Sequence, residues 1–322
     1  MILHNSKNDF LDAISAASKQ LGIRALYLEK DYWVTYVLKN LSKSKYAEQV
    51  VFKGGTSLSK AYKIIDRFSE DVDLAILLSG DESGTQLKNL IKNIENDLVT
   101  RLFKENKKHK LVSKGSKFRK TAYQYPRLVK AINFGHAYDH LILEVNSFAN
   151  HSPFNKKKIT SMLGDFIEGI DKKMVTEYEL ESFEVNVLDI KRTFTEKVMG
   201  LVRAGYEEDP KISIKNKIRH IYDLHLLLSD KEVSEFLERG FESMVMLVRS
   251  DDKKNQEFQG EWMTKEMSKS LLFKEPATLL KKLDPYYQDT FASLVYGELP
   301  SINELIFSMN KISKKLEKIS IS

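Results

Sequence analysis

Cysteine is absent from the 322 residues. Disulfides and thiolate zinc sites are therefore excluded, which fits a reducing cytoplasm. No run of about 18 apolar residues occurs, so no membrane-spanning helix is expected. The N-terminal "MILHNSKNDFLDAISAASKQ" has no basic start leading into an apolar block, so no signal peptide is expected either. Internal repeats and a Pro/Ser-rich linker are also missing. The histidines form no zinc pattern: His136 and His140 are four apart across the turn-like "GHAYD", and His220 and His225 face differently on a helix. No Ser-His-Asp order with a nucleophile elbow is present. Charge of one sign is scarce in excess: Lys+Arg 51 against Asp+Glu 45 leaves +6. That balance is compatible with nucleic acid and common among soluble proteins.

What is present is an apolar content of 42%, enough for a sizeable core in one large domain or two. Phe10, Leu11, Ile14, Ala17 and Leu21 recur at helical spacing, and Gly22 should end that helix. "YLEKDYWVTYVLKNL" predicts a second helix, Ser57 to Phe68 a third, and "ESGTQLKNLIKNIENDLVTRLFKE" a fourth. Strands are expected at Val50–Lys53, Asp71–Leu78, "AYQYPRLVKAINF", "HLILEVNSF" and Phe183–Leu188. From Lys191 the period is helical: "RTFTEKVMGLVRAG", "KNKIRHIYDLHLLL", "SEFLERGFESMVMLV", then a stripe of Ile302, Leu305, Ile306, Met309, Ile312 and Leu316. The fold expected is α+β: a small mixed β-sheet core with flanking helices over 1–190, packed against a C-terminal α-helical region over 191–322. The lysine-rich run from Lys104 to Lys120 reads as an exposed loop, or as a patch for RNA.

The chemistry concentrates in "VVFKGGTSLSKAYKIIDRFSEDVDLAILL", Val50 to Leu78. Gly54 and Gly55 let the backbone turn sharply and approach a ligand closely. The helix behind them, beginning with Thr56 and Ser57, directs free N–H groups at whatever sits in the turn. That arrangement suits a triphosphate. Asp71 and Asp73 follow on a strand, where residues i and i+2 face the same side roughly 6.6 Å apart. Two converging carboxylates repel unless a cation lies between them, and Mg²⁺ also binds phosphate oxygens. The turn and the carboxylate pair together read as one site for an NTP with Mg²⁺ (or Mn²⁺). A third acid, Glu144 in "LILEVNSF", has two readings. It is a metal ligand, or it faces solvent on an alternating strand that buries Leu141, Leu143 and Val145.

The glycine turn, helix and Asp-x-Asp strand resemble the signature of the nucleotidyltransferase (DNA polymerase β-like) superfamily. The fuller string "VFKGGTSLSKAYKIIDRFSEDVDLAI" resembles the AbiEii/AbiGii toxins of type IV toxin–antitoxin and abortive-infection systems. "EKDYWVTYVL", "RTFTEKVMGLVRAG", "IRHIYDLHLL" and "YYQDTFASLVYGELPSINELI" extend the likeness over nearly the whole chain. One departure is "TEK", where many relatives carry an aromatic before the glutamate.

The resemblance implies a nucleotidyltransferase core in which Asp71 and Asp73 hold two metal ions, with Glu144 as the third acid. It places Gly55 and the hydroxyls of Thr56 or Ser57 at the phosphates. It adds Lys197 of "TEKVMG" as a phosphate contact, and Asp223 of "RHIYDL" to orient that lysine or the attacking hydroxyl. It further implies an RNA acceptor such as the tRNA 3′ end, a cognate antitoxin as genetic partner, and growth inhibition or phage defence as outcome. The same chemistry on a protein or small-molecule hydroxyl, and a catalytically inert binding toxin, are the competing expectations. By pattern alone, Lys197 flanks an apolar helical stripe and Asp223 makes an i,i+4 surface pair with Arg219.

Overall fold

The computed structural model describes every residue except 70, 79, 81, 131–138, 149–150, 256–257 and 321–322. Two compact units emerge: Met1–Lys63 with Phe68–Leu188, and Ile64–Arg67 with Asp189–Ser322. Among the described residues, no helix is long and apolar enough to cross a membrane.

The first unit is built on one sheet. Its strands are β1 (Val50–Lys53), β2 (Asp71–Ile76), β3 (Lys104–Glu105), β4 (Ser113–Lys114), β5 (Phe118–Gln124), β6 (Leu141–Asn146), β7 (Phe154–Ile159) and β8 (Phe183–Leu188). The order is β3-β5-β6-β2-β1-β8-β7, with β4 pairing β5. The β2–β6 and β1–β8 pairs are parallel and the others antiparallel, so the sheet is mixed. Val50, Val51 and Phe52 are fully buried, as a central strand covered on both faces requires. Around the sheet lie α1 (Lys7–Leu21), α2 (Ala25–Lys43), α3 (Gly54–Lys60), α4 (Gly84–Leu98), α5 (Met162–Glu168) and α6 (Lys172–Glu177). Helix α1 buries Phe10, Ile14 and Ala17 and ends at Gly22 in the left-handed conformation, φ 68°. Helix α4 opens with a capping box between Ser83 and Gln86.

Several sequence expectations are corrected. The helix expected from Ser57 to Phe68 spans Gly54–Lys60, and residues Ile64–Arg67 belong to the other unit. The strand expected from Ala122 runs from Phe118 to Gln124. Pro126, without an N–H, cannot continue its ladder; residues 131–134 lie outside the described residues, as does His136. The Lys104–Lys120 run is not one loop. It contains β3, β4 and the start of β5, short polar strands whose exposed lysines carry no apolar alternation. Strand β7 escaped notice for the same reason: Lys156, Lys157 and Lys158 occupy a sheet edge, where water on one side removes the need for apolar residues.

The second unit is helical: α7 (Ile190–Ala204), α8 (Pro210–Asn216), α9 (Ile218–Leu227), α10 (Lys231–Arg239), α11 (Phe241–Lys254), α12 (Leu271–Lys274), α13 (Pro276–Tyr286) and α14 (Ile302–Leu316). Gly240 divides what periodicity showed as one helix into α10 and α11. The stripe of α14 buries Leu305, Met309, Ile312 and Leu316. Ile64–Arg67 is stitched in through the backbone. Asp66 O accepts the N–H of Tyr296 (2.9 Å) and Gly297 (3.2 Å), and Arg67 bridges Val295.

Gly205 ends α7 against the buried Ser270: a Cβ there would lie 2.0 Å from Ser270 Oγ and 2.7 Å from Leu271 N. Gly205→Ala is therefore expected to cost about 1–3 kcal/mol, the usual penalty of overpacking. Urea unfolding checks this, and an unchanged midpoint would show that the α7–α12 junction yields freely.

Candidate active site

Strand register assembles a charged row in the first unit. On β2, Asp73 is the lateral neighbour of Lys53 on β1 and of Glu144 on β6. Glu144 is in turn the neighbour of Lys120 on β5. Lateral neighbours stand about 4.8 Å apart and project from the same face. Asp71, two residues before Asp73, shares that face. The order across four strands is thus Lys53, Asp73, Glu144, Lys120. Glu144 is 23% exposed and its Oε2 pairs with Lys120 Nζ at 3.2 Å. Its strand neighbours Leu141 to Leu143 are fully buried, so this acid is an exception in an apolar strand.

The acids are electrostatically incomplete. Among the described residues, Asp71 Oδ1 is buried without a hydrogen-bond partner. Burial first, then the charges of Glu144 and Asp71, push the Asp73 carboxyl up to about 8, while Lys53 and Lys120 pull against that rise. An oxygen-only donor set with an orphaned carboxylate oxygen fits a hard divalent cation such as Mg²⁺ or Mn²⁺. Asp71, Asp73 and Glu144 are the residues that would hold it.

The turn beside the acids is tied to them sterically. Gly54 has φ 80°, and a Cβ there would fall 2.1 Å from Asp73 Oδ2. A side chain is thus barred at Gly54 on two counts; Gly55 lies in the first turn of α3. Thr56 and Ser57 are buried. Ser57 Oγ donates to Gly54 O at 2.8 Å, and Thr56 Oγ1 lies 2.9 Å from Ser69 Oγ. These hydroxyls brace the turn from within.

In the second unit, Lys197 on α7 and Asp223 on α9 meet: Nζ lies 2.8 Å from Oδ2. Asp223 is fully buried, and its further partner is Arg67, with Nε on Oδ1 and Nη2 on Oδ2, both at 2.7 Å. The surface pair with Arg219 expected from spacing gives way to this buried trio. Burial raises the Asp223 carboxyl, but Arg67 and Lys197 outweigh it and hold the group well below the usual carboxylate range. His220 lies near the same charges. Burial, then Lys197 and Lys217, keep its ring uncharged, and its Nδ1 is buried with no partner among the described residues.

Sequence reading missed Lys53 and Lys120 as companions of the acid row, and Arg67 as a partner of Asp223. Lys53 and Lys120 become visible only through strand register, and Arg67 is 156 residues from its partner. It also missed a cluster of His109, Asp139 and His140, whose donor atoms lie within 4.8 Å of one another. His140 Nδ1 bonds Asp139, its Nε2 lies 3.1 Å from Asn106 Nδ2, and His109 Nδ1 accepts the Leu111 N–H at 3.3 Å.

A mixed sheet, a glycine turn into a short helix, and Asp-x-Asp on the next strand beside a third acid are the features by which the chain resembles nucleotidyltransferases, and the family match shows it to be one. The particular family follows from the sequence: the chain belongs to the AbiEii family, residues 36–307 matching the model described as nucleotidyl transferase AbiEii toxin, type IV TA system. It is a nucleotidyltransferase toxin of a type IV toxin–antitoxin system, which implies an NTP substrate and an antitoxin partner. Among solved structures it is similar to MenT4, nucleotidyltransferase toxin Rv2826c from Mycobacterium tuberculosis H37Rv. The two share 14% identity and a TM-score of 0.54, over 95% of this chain and 90% of that one. At that identity the likeness shows the fold. No curated protein matches.

Two outcomes check the site. Because the Asp73 carboxyl is raised in the folded state, its native form binds more protons than the unfolded chain between about pH 4 and about 8. Its contribution to stability is therefore greatest below pH 4 and declines as pH rises to about 8. Without metal, Asp73→Asn should flatten this part of the pH–Tm curve and raise Tm at pH 8; a parallel curve for the variant would refute the buried repulsion. Gly54→Ala should displace the Asp73 carboxylate and abolish NTP binding measured by calorimetry. Undiminished binding would place the phosphates elsewhere.

Proposed function

We propose that this toxin transfers a nucleoside monophosphate from an NTP to an RNA hydroxyl, with the tRNA 3′ end as acceptor, in a divalent-metal-dependent reaction. The observation that carries the reading is the acid row: Asp73 and Glu144 side by side, Asp71 with a buried oxygen unpartnered among the described residues, and the Gly54 turn against them. When bound, Mg²⁺ supplies charge neutralisation at the triphosphate and acidifies the attacking hydroxyl.

The protein's own groups do the rest. Asp71, Asp73 and Glu144 carry the negative charge that selects a divalent cation. Gly54 and Gly55, at the start of α3 and braced by Thr56 and Ser57, let the backbone approach the phosphates. Lys197 meets the triphosphate as a movable point charge, and Asp223 orients that lysine. The acceptor oxygen forms a bond to the α-phosphorus as the bond from that phosphorus to the bridging oxygen breaks. Pyrophosphate leaves and the hydroxyl proton passes to solvent. The exposed Lys107, Lys108, Lys110, Lys114 and Lys117 of the β3–β5 segment favour a polyanionic acceptor. Domain organisation on this reading is a catalytic core over 1–190 and a helical domain over 191–322. Growth inhibition, or phage defence, follows from disabling the RNA acceptor.

Incubation with each labelled NTP, Mg²⁺ and total RNA, resolved on a gel, should label a tRNA-sized band. Asp71→Asn and Asp73→Asn should abolish the label. Lys197→Ala should reduce it about 10²–10³-fold, as loss of one preorganised electrostatic partner does. Label on protein alone would transfer the reading to a protein hydroxyl, and wild-type labelling by the Asp variants would end the metal assignment.

A further inference from the structure

Asp223 carries two cations on one fully buried carboxylate, and the two are not equivalent. Lys197 contacts a single oxygen, Oδ2, at 2.8 Å. Arg67 spans both oxygens at 2.7 Å. An ammonium on a carboxylate sets one distance and leaves the group free to rotate about Cβ–Cγ. A guanidinium fork meets both oxygens in one plane and removes that rotation. The position of Oδ2, from which Lys197 Nζ lies 2.8 Å away, is then fixed.

The anchor behind the fork is also fixed. Arg67 is 3% exposed and Asp223 0%, so water does not compete for the carboxylate. The Arg67 backbone bridges Val295, and the preceding carbonyl, Asp66 O, takes two N–H groups from Tyr296 and Gly297. Burial, first of all, keeps the neighbouring His220 uncharged, so it adds no third cation to Asp223. A residue from the connection between α3 and β2 thus sets the orientation of an acid on α9, and that acid sets a lysine on α7.

We infer that Arg67 is a positioning residue for nucleotide transfer: through the plane of the Asp223 carboxylate it sets where the Lys197 ammonium points, without itself meeting NTP or acceptor. The inference rests on the reading that Lys197 meets the triphosphate. It distinguishes the fork from its charge. Arg67→Lys keeps a cation on Asp223 but cannot hold both oxygens in one plane.

The experiment compares Arg67→Lys, Lys197→Ala and wild type in steady-state transfer, with circular dichroism and Tm on the same samples. Arg67→Lys should fold and melt within a few degrees of wild type. Its kcat should fall at least about tenfold, within the range caused by a small misplacement of a catalytic group, while KM for NTP stays within about threefold. In Arg67→Gly, millimolar guanidinium should restore transfer and methylammonium should not.

Wild-type transfer by Lys197→Ala would remove the underlying reading. An impaired Lys197→Ala beside an Arg67→Lys of wild-type kcat would overturn the Arg67 inference alone. A kcat loss that tracks the folded fraction, or equal rescue by both cations, would also overturn it, because any structural cation would then suffice.

Discussion

Three carboxylates facing one way from two neighbouring strands set the terms for the rest of the candidate site. Burial, and then the like charges of Glu144 and Asp71, raise the proton affinity of Asp73. The protein tempers this repulsion with Lys53 and Lys120 at the two ends of the row, both in register with an acid. It does not remove it, since Asp71 Oδ1 still has no partner among the described residues. Gly54 belongs to the same constraint: the Asp73 carboxylate occupies the space where any other residue at 54 would place its Cβ.

The second unit meets the opposite problem. Asp223 is fully buried, and an unpaired charge there would be expensive. Two cations offset that cost, one from α7 and one from a segment 156 residues earlier in the chain. The geometry differs in kind from a surface pair such as Lys231–Glu235, which is 3.9 Å apart, largely exposed and worth little. The buried trio is specific because its members have no solvent to turn to.

Much of this was legible beforehand. The period of α14, the glycine stop of α1 and the apolar run of β1 are local patterns with local causes, and each falls where the residues indicate. The Asp-x-Asp spacing required only that the segment be a strand. The failures share a cause as well. Strands β3, β4 and β7 carry lysines at positions where solvent removes the apolar alternation on which a strand is recognised. The third helix was drawn too long because Ile64 and Ile65 continue its apolar pattern, though both belong to the other unit. The pairing of Arg219 with Asp223 failed because i,i+4 proximity is a surface rule, and Asp223 is not on the surface.

By itself, the sequence determined that a sheet strand would carry two same-side acids behind a glycine turn, and that helices would follow. These depend on residues within a few positions of one another, where covalent geometry and side-chain period decide. Tertiary structure decided which face Glu144 shares, that Lys53 and Lys120 flank the acids, and that Arg67 grips Asp223. Register between strands and contacts across 156 residues come from the burial of apolar surface summed over the chain, and no local stretch of residues encodes that sum.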